Sequence, residues 1–193
     1  MLYWIQIQLR KEGRHGHKGE NMIRKATAAD IDRCAEIYEA HLTNEANGKN
    51  WSNWRLGLYP VRATAENALA HDWLWVGEDE KGIFGCVILN QNQAEEYKKM
   101  DWHWEAADDE VLVIHTLVID PNRRGEGKAS EFLKAAEDIA RSWGCTVIRL
   151  DTWEGNLPAQ ALYKKHGYLL AGGCDFWFAN AYNNPLVCLD KKL

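Results

Sequence analysis

The stretch from Val111 to Trp143 combines residue types that can hold an anion. An apolar run, VLVIHTLVID, leads through PNRRGEGKA into an amphipathic segment, SEFLKAAEDIARSW. The order is strand, glycine-rich basic turn, helix start. The first N–H groups of a helix lack internal partners and its dipole places about +0.5 charge there, which suits a phosphate. Gly125 and Gly127 carry no Cβ and accept positive φ, so the backbone can curl closely around such a group. Arg123, Arg124 and Lys128 supply charge. The loop is not a Walker A site, because Asn122 and Ala129 stand where that motif needs glycine and a Ser or Thr. It is not a dinucleotide fingerprint either, since Ser130 occupies the position of the third glycine.

What remains is Arg-x-x-Gly-x-Ala, read as Arg124, Gly127 and Ala129. This resembles the pyrophosphate-binding motif of the GNAT family of N-acetyltransferases. A second segment, NLPAQALYKKHGY, follows about thirty residues on. Asn156 suits a helix cap, Pro158 the first turn and Gly167 the stop. That segment also resembles the family's downstream signature at Asn156, Ala159, Leu162, Tyr163, Gly167 and Tyr168. The two motifs occur in the family's order, and the resemblance runs from about Met22 to the C-terminus, strongest from Glu110 to Tyr168. It implies acetyl-CoA as co-substrate and no metal. The implied cofactor contacts are Leu117, Val118 and Ile119 on the strand, Arg124, Gly125, Glu126, Gly127, Lys128 and Ala129 in the loop, and Asn156, Ala159 and Tyr163 beyond.

Acetyl transfer to an amine poses a proton problem. An alkylammonium has a pKa near 10.4, so at pH 7 only about one molecule in 2,500 is the neutral nucleophile, and a base must remove the proton. The departing thiolate needs an acid. Tyr163 stands where the family commonly places a tyrosine close to the CoA sulfur. Three groups compete as base. Asp151 lies on the strand from Thr146, where some family members carry an acidic base. Glu110 precedes the central strand and could act through water. His115, within that strand, has a suitable ordinary pKa of about 6.5. The order of preference is Asp151, Glu110, His115. No Cys sits in either motif, so the amine is expected to attack the thioester directly. The N–H groups at Leu117 and Ile119 would face the acetyl carbonyl, as in relatives. A non-catalytic acyl-CoA sensor or interaction module is the alternative, since fold alone does not guarantee chemistry.

For the acceptor, the family resemblance points to the loop after the first helix and the segment before the central strand. The first carries Trp51, Trp54 and Tyr59. The second carries Tyr97, Asp101, Trp102, Trp104, Glu105, Asp108 and Asp109, and Trp153 closes a later strand. Aromatics with carboxylates suit an amine of apolar or cationic character, from a small molecule or a peptide.

The elements that must position these groups follow from periodicity and punctuation. Met22 to Ala26 reads as a strand, and Thr27 with Asp30 nearly forms a capping box for a helix with apolar face Ile31, Cys34, Ile37, Tyr38 and Leu42. Residues 44–60 form a loop and Arg62 to His71 a second helix. WLWVGED and GIFGCVILN pair as a hairpin about Asp79 to Gly82. Gln91 to Asp109 is polar, looped or briefly helical. After the strand from Val111, the helix from Lys128, the strand from Thr146 and the helix from Pro158 come strands near Tyr168–Phe178 and Pro185–Asp190. This order implies an α/β, α+β-layered architecture around a mixed sheet flanked by helices. The resemblance makes that sheet mostly antiparallel, in a GNAT-like acyl-CoA N-acyltransferase fold.

A chain of 193 residues can bury a sizeable core, and a net charge of −5 disfavours a nucleic-acid surface. No apolar stretch is long enough to span a bilayer. Five cysteines without CxxC spacing read as reduced thiols of a cytoplasmic protein, and the chain is expected to be bacterial and a monomer or homodimer. Residues 1–21 do not resemble the rest. Lys18-Gly19-Glu20 could be encoded by AAAGGAGAA, which contains a bacterial ribosome-binding sequence, so this part is expected to be translated leader before a single domain spanning 22–193. His15 and His17 in that Gly-rich segment make a poor metal site.

Overall fold

A computed structural model describes residues 21–178 and 182–193. The leader reading and the His15–His17 pair fall outside the described residues.

A seven-stranded sheet forms the middle layer, in the order β1-β2-β3-β4-β5-β9-β6. The strands are β1 (Met22–Lys25), β2 (Leu74–Asp79), β3 (Gly82–Asn90), β4 (Val111–Ile119), β5 (Val147–Trp153), β6 (Leu169–Cys174) and β9 (Leu186–Lys192). Two short strands, β7 (Trp177–Phe178) and β8 (Tyr182–Asn183), pair separately. Every neighbouring pair in the large sheet is antiparallel except β4 with β5. The expected mixed, mostly antiparallel sheet is therefore present. The strand anticipated near Tyr168–Phe178 is instead β6 followed by β7, and the polar stretch after β3 holds two short 3-10 turns, Glu95–Lys99 and Asp108–Glu110.

Helices α1 (Ile31–Ala46) and α2 (Arg62–Ala70) cover one face, and α3 (Lys128–Ser142) and α4 (Leu157–Lys165) the other. All five apolar positions expected on α1, Ile31, Cys34, Ile37, Tyr38 and Leu42, are buried. The Asp30 carboxylate accepts from the Thr27 N–H at 2.7 Å and the Thr27 hydroxyl at 2.9 Å, the local half of a capping box. Arg24 on β1 donates to both oxygens of the same carboxylate, at 2.8 and 3.0 Å, and so ties the edge strand to the start of α1.

The facing of β4 changes along its length. Leu112 and Ile114 pack under α3, while Val111 and Val113 point to a third cluster with Tyr97 and Val147. Strict alternation would put Leu117 with Val113. Instead Leu117 and Ile119 join the α3 side, and Val118 packs on the α1 and α2 side. One extra residue has been inserted. The ladder with β3 shows it, jumping from Cys86↔Val118 to Ile88↔His115, and Thr116 within the step adopts φ 48°. On its other side β4 pairs with β5 only from Val111↔Val147 to Ile114↔Leu150. Beyond that point β5 stays with β9 as far as Trp153↔Leu186, and β4 stays with β3 as far as Gly85↔Ile119. The two strands part, and the sheet opens between them.

The Arg24 pair holds the Asp30 carboxyl at about 2, below its ordinary 3.8. A depressed folded-state pKa stabilises the fold above the unfolded value and the contribution is lost as pH falls through the folded one. Asp30→Asn is expected to lower stability by about 1 to 2 kcal/mol at neutral pH, after allowance for solvent screening. Urea midpoints of wild type and variant should converge as pH falls from 3.8 toward 2.

Candidate active site

Where β4 and β5 separate lies a cavity of about 850 Å³. His115, Thr116, Leu117 and Ile119 of β4 line one wall, and Asp151, Thr152 and Trp153 of β5 the other. Arg124, Ala129, Asn156, Ala159 and Tyr163 also line it, as do Trp51, Ser52, Trp54 and Tyr59 of the loop after α1.

The glycine-rich turn meets α3 as its sequence demands. Gly125 and Gly127 adopt φ 82° and 78°, values that strain any residue with a Cβ, and Gly127 caps the helix in the left-handed conformation. No side chain caps this end, and the Ser130 N–H turns back to the Gly127 carbonyl at 2.9 Å, which leaves the N–H groups of Lys128 and Ala129 open to an anion. The three expected cations divide their work. Arg123 pairs with Asp79 and with Glu126, at 2.8 Å to the latter. Lys128 is buried, with Nζ 3.1 Å from Asp79, 2.8 Å from the Asn21 side-chain oxygen and 4.4 Å above the Phe84 ring. The Lys128 and Glu126 side chains are thus spent on pinning the loop to the β2–β3 turn, and only their backbone is left for a ligand. Arg124 alone turns into the cavity, steadied by Asn44 at 2.8 Å and His41 at 3.4 Å. Val118 faces the α1 layer, away from the cavity. Asn156 spends its side chain on the start of α4, accepting from the Ala159 N–H at 3.3 Å and donating to the Thr152 hydroxyl at 3.0 Å.

Of the competing bases, Asp151 is best placed. Its carboxylate accepts from the Tyr97 hydroxyl at 2.8 Å and lies in the cavity. Burial raises its pKa above the ordinary value, partly offset by the Tyr97 bond, and the nearby Glu96 adds to the rise. A carboxylate with heightened proton affinity is a better base. His115 also lines the cavity, yet burial drops it to about 4, and its Nε2 is held by Asn90 at 3.0 Å. It stays neutral and is a weak base. Glu110 is exposed, accepts from the Ala107 N–H at 3.0 Å and borders a separate groove beside Arg149, so the structure does not bring it to the cavity. Tyr163 is 8% exposed, lines the cavity and has its pKa pushed up by burial and then by the Asp151 charge. Its hydroxyl bonds to no described residue, which leaves the proton available.

All four aromatics expected to contact the acceptor, Trp51, Trp54, Tyr59 and Trp153, line the cavity. Trp54 meets His41 and Tyr59 edge to face at 5.9 and 5.5 Å. The Tyr59 hydroxyl bonds Thr116 at the β4 bulge. Sequence reasoning missed Glu45, which is 4% exposed at the end of α1 and accepts from the N–H groups of Trp51 and Ser52, each at 3.2 Å. A polar residue in the last turn of an amphipathic helix carries no sequence signal of such a role. Glu96, Asn184 and Phe176 also line the cavity unanticipated. Of the seven residues singled out in the second segment only Tyr97 lines the cavity. Trp102 stacks on Arg149 at 4.3 Å and donates to the Tyr97 carbonyl at 2.9 Å, and Trp104 packs with it. Asp101 and Glu105 border the separate groove, and Asp108 and Asp109 are exposed. That segment packs over Val111 and Val113 as a cover for the sheet, which its polar composition disguised.

A sheet opened at its single parallel pair, with an uncapped helix start beside the gap and a buried carboxylate and tyrosine within it, is the candidate site. Residues 32–168 match the sequence model of the Acetyltransferase (GNAT) family, and the chain belongs to that family. It is 25% identical over 150 residues to an uncharacterised N-acetyltransferase of Methanocaldococcus jannaschii, a match spanning 76% of this chain and 59% of that protein. It is 24% identical over 137 residues to the streptothricin acetyltransferase of Escherichia coli, covering 71% of this chain and 70% of that one. The solved structure of a GNAT-family acetyltransferase from Streptococcus agalactiae superposes with a TM-score of 0.73 at 21% identity, covering 90% of this chain and 95% of the other, which is a likeness of fold.

Tyr97→Phe keeps the ring and removes the bond that lowers the Asp151 pKa. A hydrogen bond to a charged group contributes about 1.5 to 3 kcal/mol, so the Asp151 pKa is expected to rise by about one to two further units. Carboxyl titration by carbon NMR, assigned with Asp151→Asn, reads the change, and an unmoved titration would show that Tyr97 does not control this group.

Proposed function

We propose that the protein is an acetyl-CoA-dependent N-acetyltransferase acting on a primary amine of a small molecule or peptide. The observation that carries this reading is a continuous cavity running from Arg124 and the start of α3 to Asp151 and Tyr163. The fit to acetyl-CoA rests on three features. The left-handed glycine turn with an uncapped helix start suits a pyrophosphate, together with Arg124. Beyond Ile114 the β5-facing edge of β4 lacks a strand partner and offers backbone groups to an amide-bearing arm. Ala129 and Ala159 leave room beside it. When bound, acetyl-CoA supplies an activated acyl thioester.

The chain's own groups supply the rest. Asp151 takes the proton from the acceptor ammonium, which frees the nitrogen lone pair for attack on the acyl carbon. Backbone N–H groups at Leu117 and Ile119 stabilise charge on the acyl oxygen, a role worth several kcal/mol in enzymes generally. Tyr163 delivers a proton to the departing sulfur and recovers one from the nitrogen, which sheds its second proton as the amide forms. The presence of both Asp151 and Tyr163 in the cavity favours an enzyme over a sensor. Five free thiols support a reducing, cytoplasmic setting, and no helix among the described residues is long and apolar enough to cross a membrane.

Acetyl-CoA binding by calorimetry, followed by thiol release against a panel of amines, tests the reading. Binding with amine-dependent release is expected, and absence of binding would overturn it. Arg124→Ala combined with Gly127→Trp is expected to abolish cofactor binding, since the indole strains the turn and covers the helix start. Tyr163→Phe should lower turnover about a hundredfold while leaving acetyl-CoA affinity within about threefold.

A further inference from the structure

The charges lining the cavity are unbalanced. Three carboxylates, Glu45, Glu96 and Asp151, face it, and Arg124 is the one permanently charged cation among the described lining residues. Arg124 sits at the phosphate end, held by Asn44 and His41. His41 and His115 are both pushed toward the neutral form by burial. Glu45 is satisfied by the loop N–H groups and the Ser52 hydroxyl, and Asp151 by Tyr97. Glu96 is different. It is partly buried, lines the cavity and makes no hydrogen bond or ion pair with a described residue. Its neighbour Glu95 points outward to a surface pair with Lys98 at 2.7 Å. Glu96 is near enough to Asp151 to raise that group's proton affinity. Trp51, Trp54, Trp153 and Phe176 line the same cavity. Tyr163, a residue 8% exposed whose hydroxyl bonds to no described residue, lines the same space.

A partly buried carboxylate without a counter-ion in an aromatic-walled cavity calls for a cation. Resting on the acetyltransferase reading, we infer that the acceptor is a diamine or longer polyamine, with one nitrogen reacting beside Asp151 and a second ammonium, across an apolar chain, pairing with Glu96. An acceptor bearing a carboxylate would meet three like charges with no cation free to receive it. The aromatic walls take the methylenes and the faces of the rings favour the cation.

The test is calorimetry on the protein loaded with CoA, which binds without reacting, using putrescine, butylamine and γ-aminobutyrate as probes of equal chain length. Putrescine is expected to bind at least about tenfold more tightly than butylamine, with γ-aminobutyrate weakest. Glu96→Gln should bring the putrescine-to-butylamine ratio close to one, and Glu95→Gln on the outer side of the same turn should leave it unchanged. Equal binding of butylamine or γ-aminobutyrate, no measurable putrescine binding, or a preference that survives Glu96→Gln would overturn the inference. Failure of CoA to bind would instead sink the acetyltransferase reading. The same titrations on the protein alone would then still decide whether Glu96 selects a second ammonium.

Discussion

The parting of β4 from β5 after Ile114 and Leu150 is the constraint on which the remaining structure depends. A parallel ladder that continued to the strand ends would bury this edge and leave no gap. The extra residue at the Thr116 step bends β4 toward β3, and the antiparallel hold of β9 on β5 keeps β5 from following. Each strand therefore stays paired on its outer side while the inner edges diverge. The backbone groups lost to the sheet are the ones a bound chain can recover. Thr116 also anchors Tyr59, so the same irregularity that opens the gap fixes the loop that covers its far end.

Charge around the gap is arranged by sacrifice. Asp79 draws Arg123 and Lys128 down onto the β2–β3 turn, and those two pairs hold the glycine turn in position. The basic residues that look like ligand contacts in a linear reading are therefore divided between scaffold and site. Arg124 reaches across to α1, where His41 stands 3.4 Å away, and His41 in turn lies 3.6 Å from Glu45. Glu45 holds the backbone of Trp51 and Ser52. Polar side chains thus run from Arg124 to the loop after α1, with the His41 Nε2 buried and making no hydrogen bond of its own.

Burial acts on the cavity's titratable groups in opposite senses, because it disfavours whichever form is charged. The Asp151 carboxyl and the Tyr163 hydroxyl both move up, toward retaining a proton, while the His115 imidazole moves down. One low-dielectric environment thereby makes the carboxylate a stronger base and removes the histidine from contention. Unperturbed values rank these groups in the reverse order, with the histidine nearest neutrality.

Local chemistry was legible in the chain. The glycine turn with its helix start, the Asn156 cap, the apolar face of α1 and the mixed sheet all follow from short-range pattern, because backbone strain, capping and periodicity act over a few residues. The two motifs around Arg124 and Tyr163 likewise carried the family. What the sequence could not express was distance. VLVIHTLVI is apolar on both faces, so its alternation hides the bulge that turns Leu117 toward α3. Trp102 and Trp104 resemble pocket aromatics until packing places them over Arg149. Glu45 and Glu96 sit 106 and 55 residues before Asp151 in the chain, and nothing short of the folded sheet brings the three carboxylates to one cavity. Sequence alone determined most of the elements and the glycine turn that starts α3. Tertiary structure decided which charges are spent on the scaffold and which remain for a ligand, since pairing and desolvation depend on neighbours that only folding supplies.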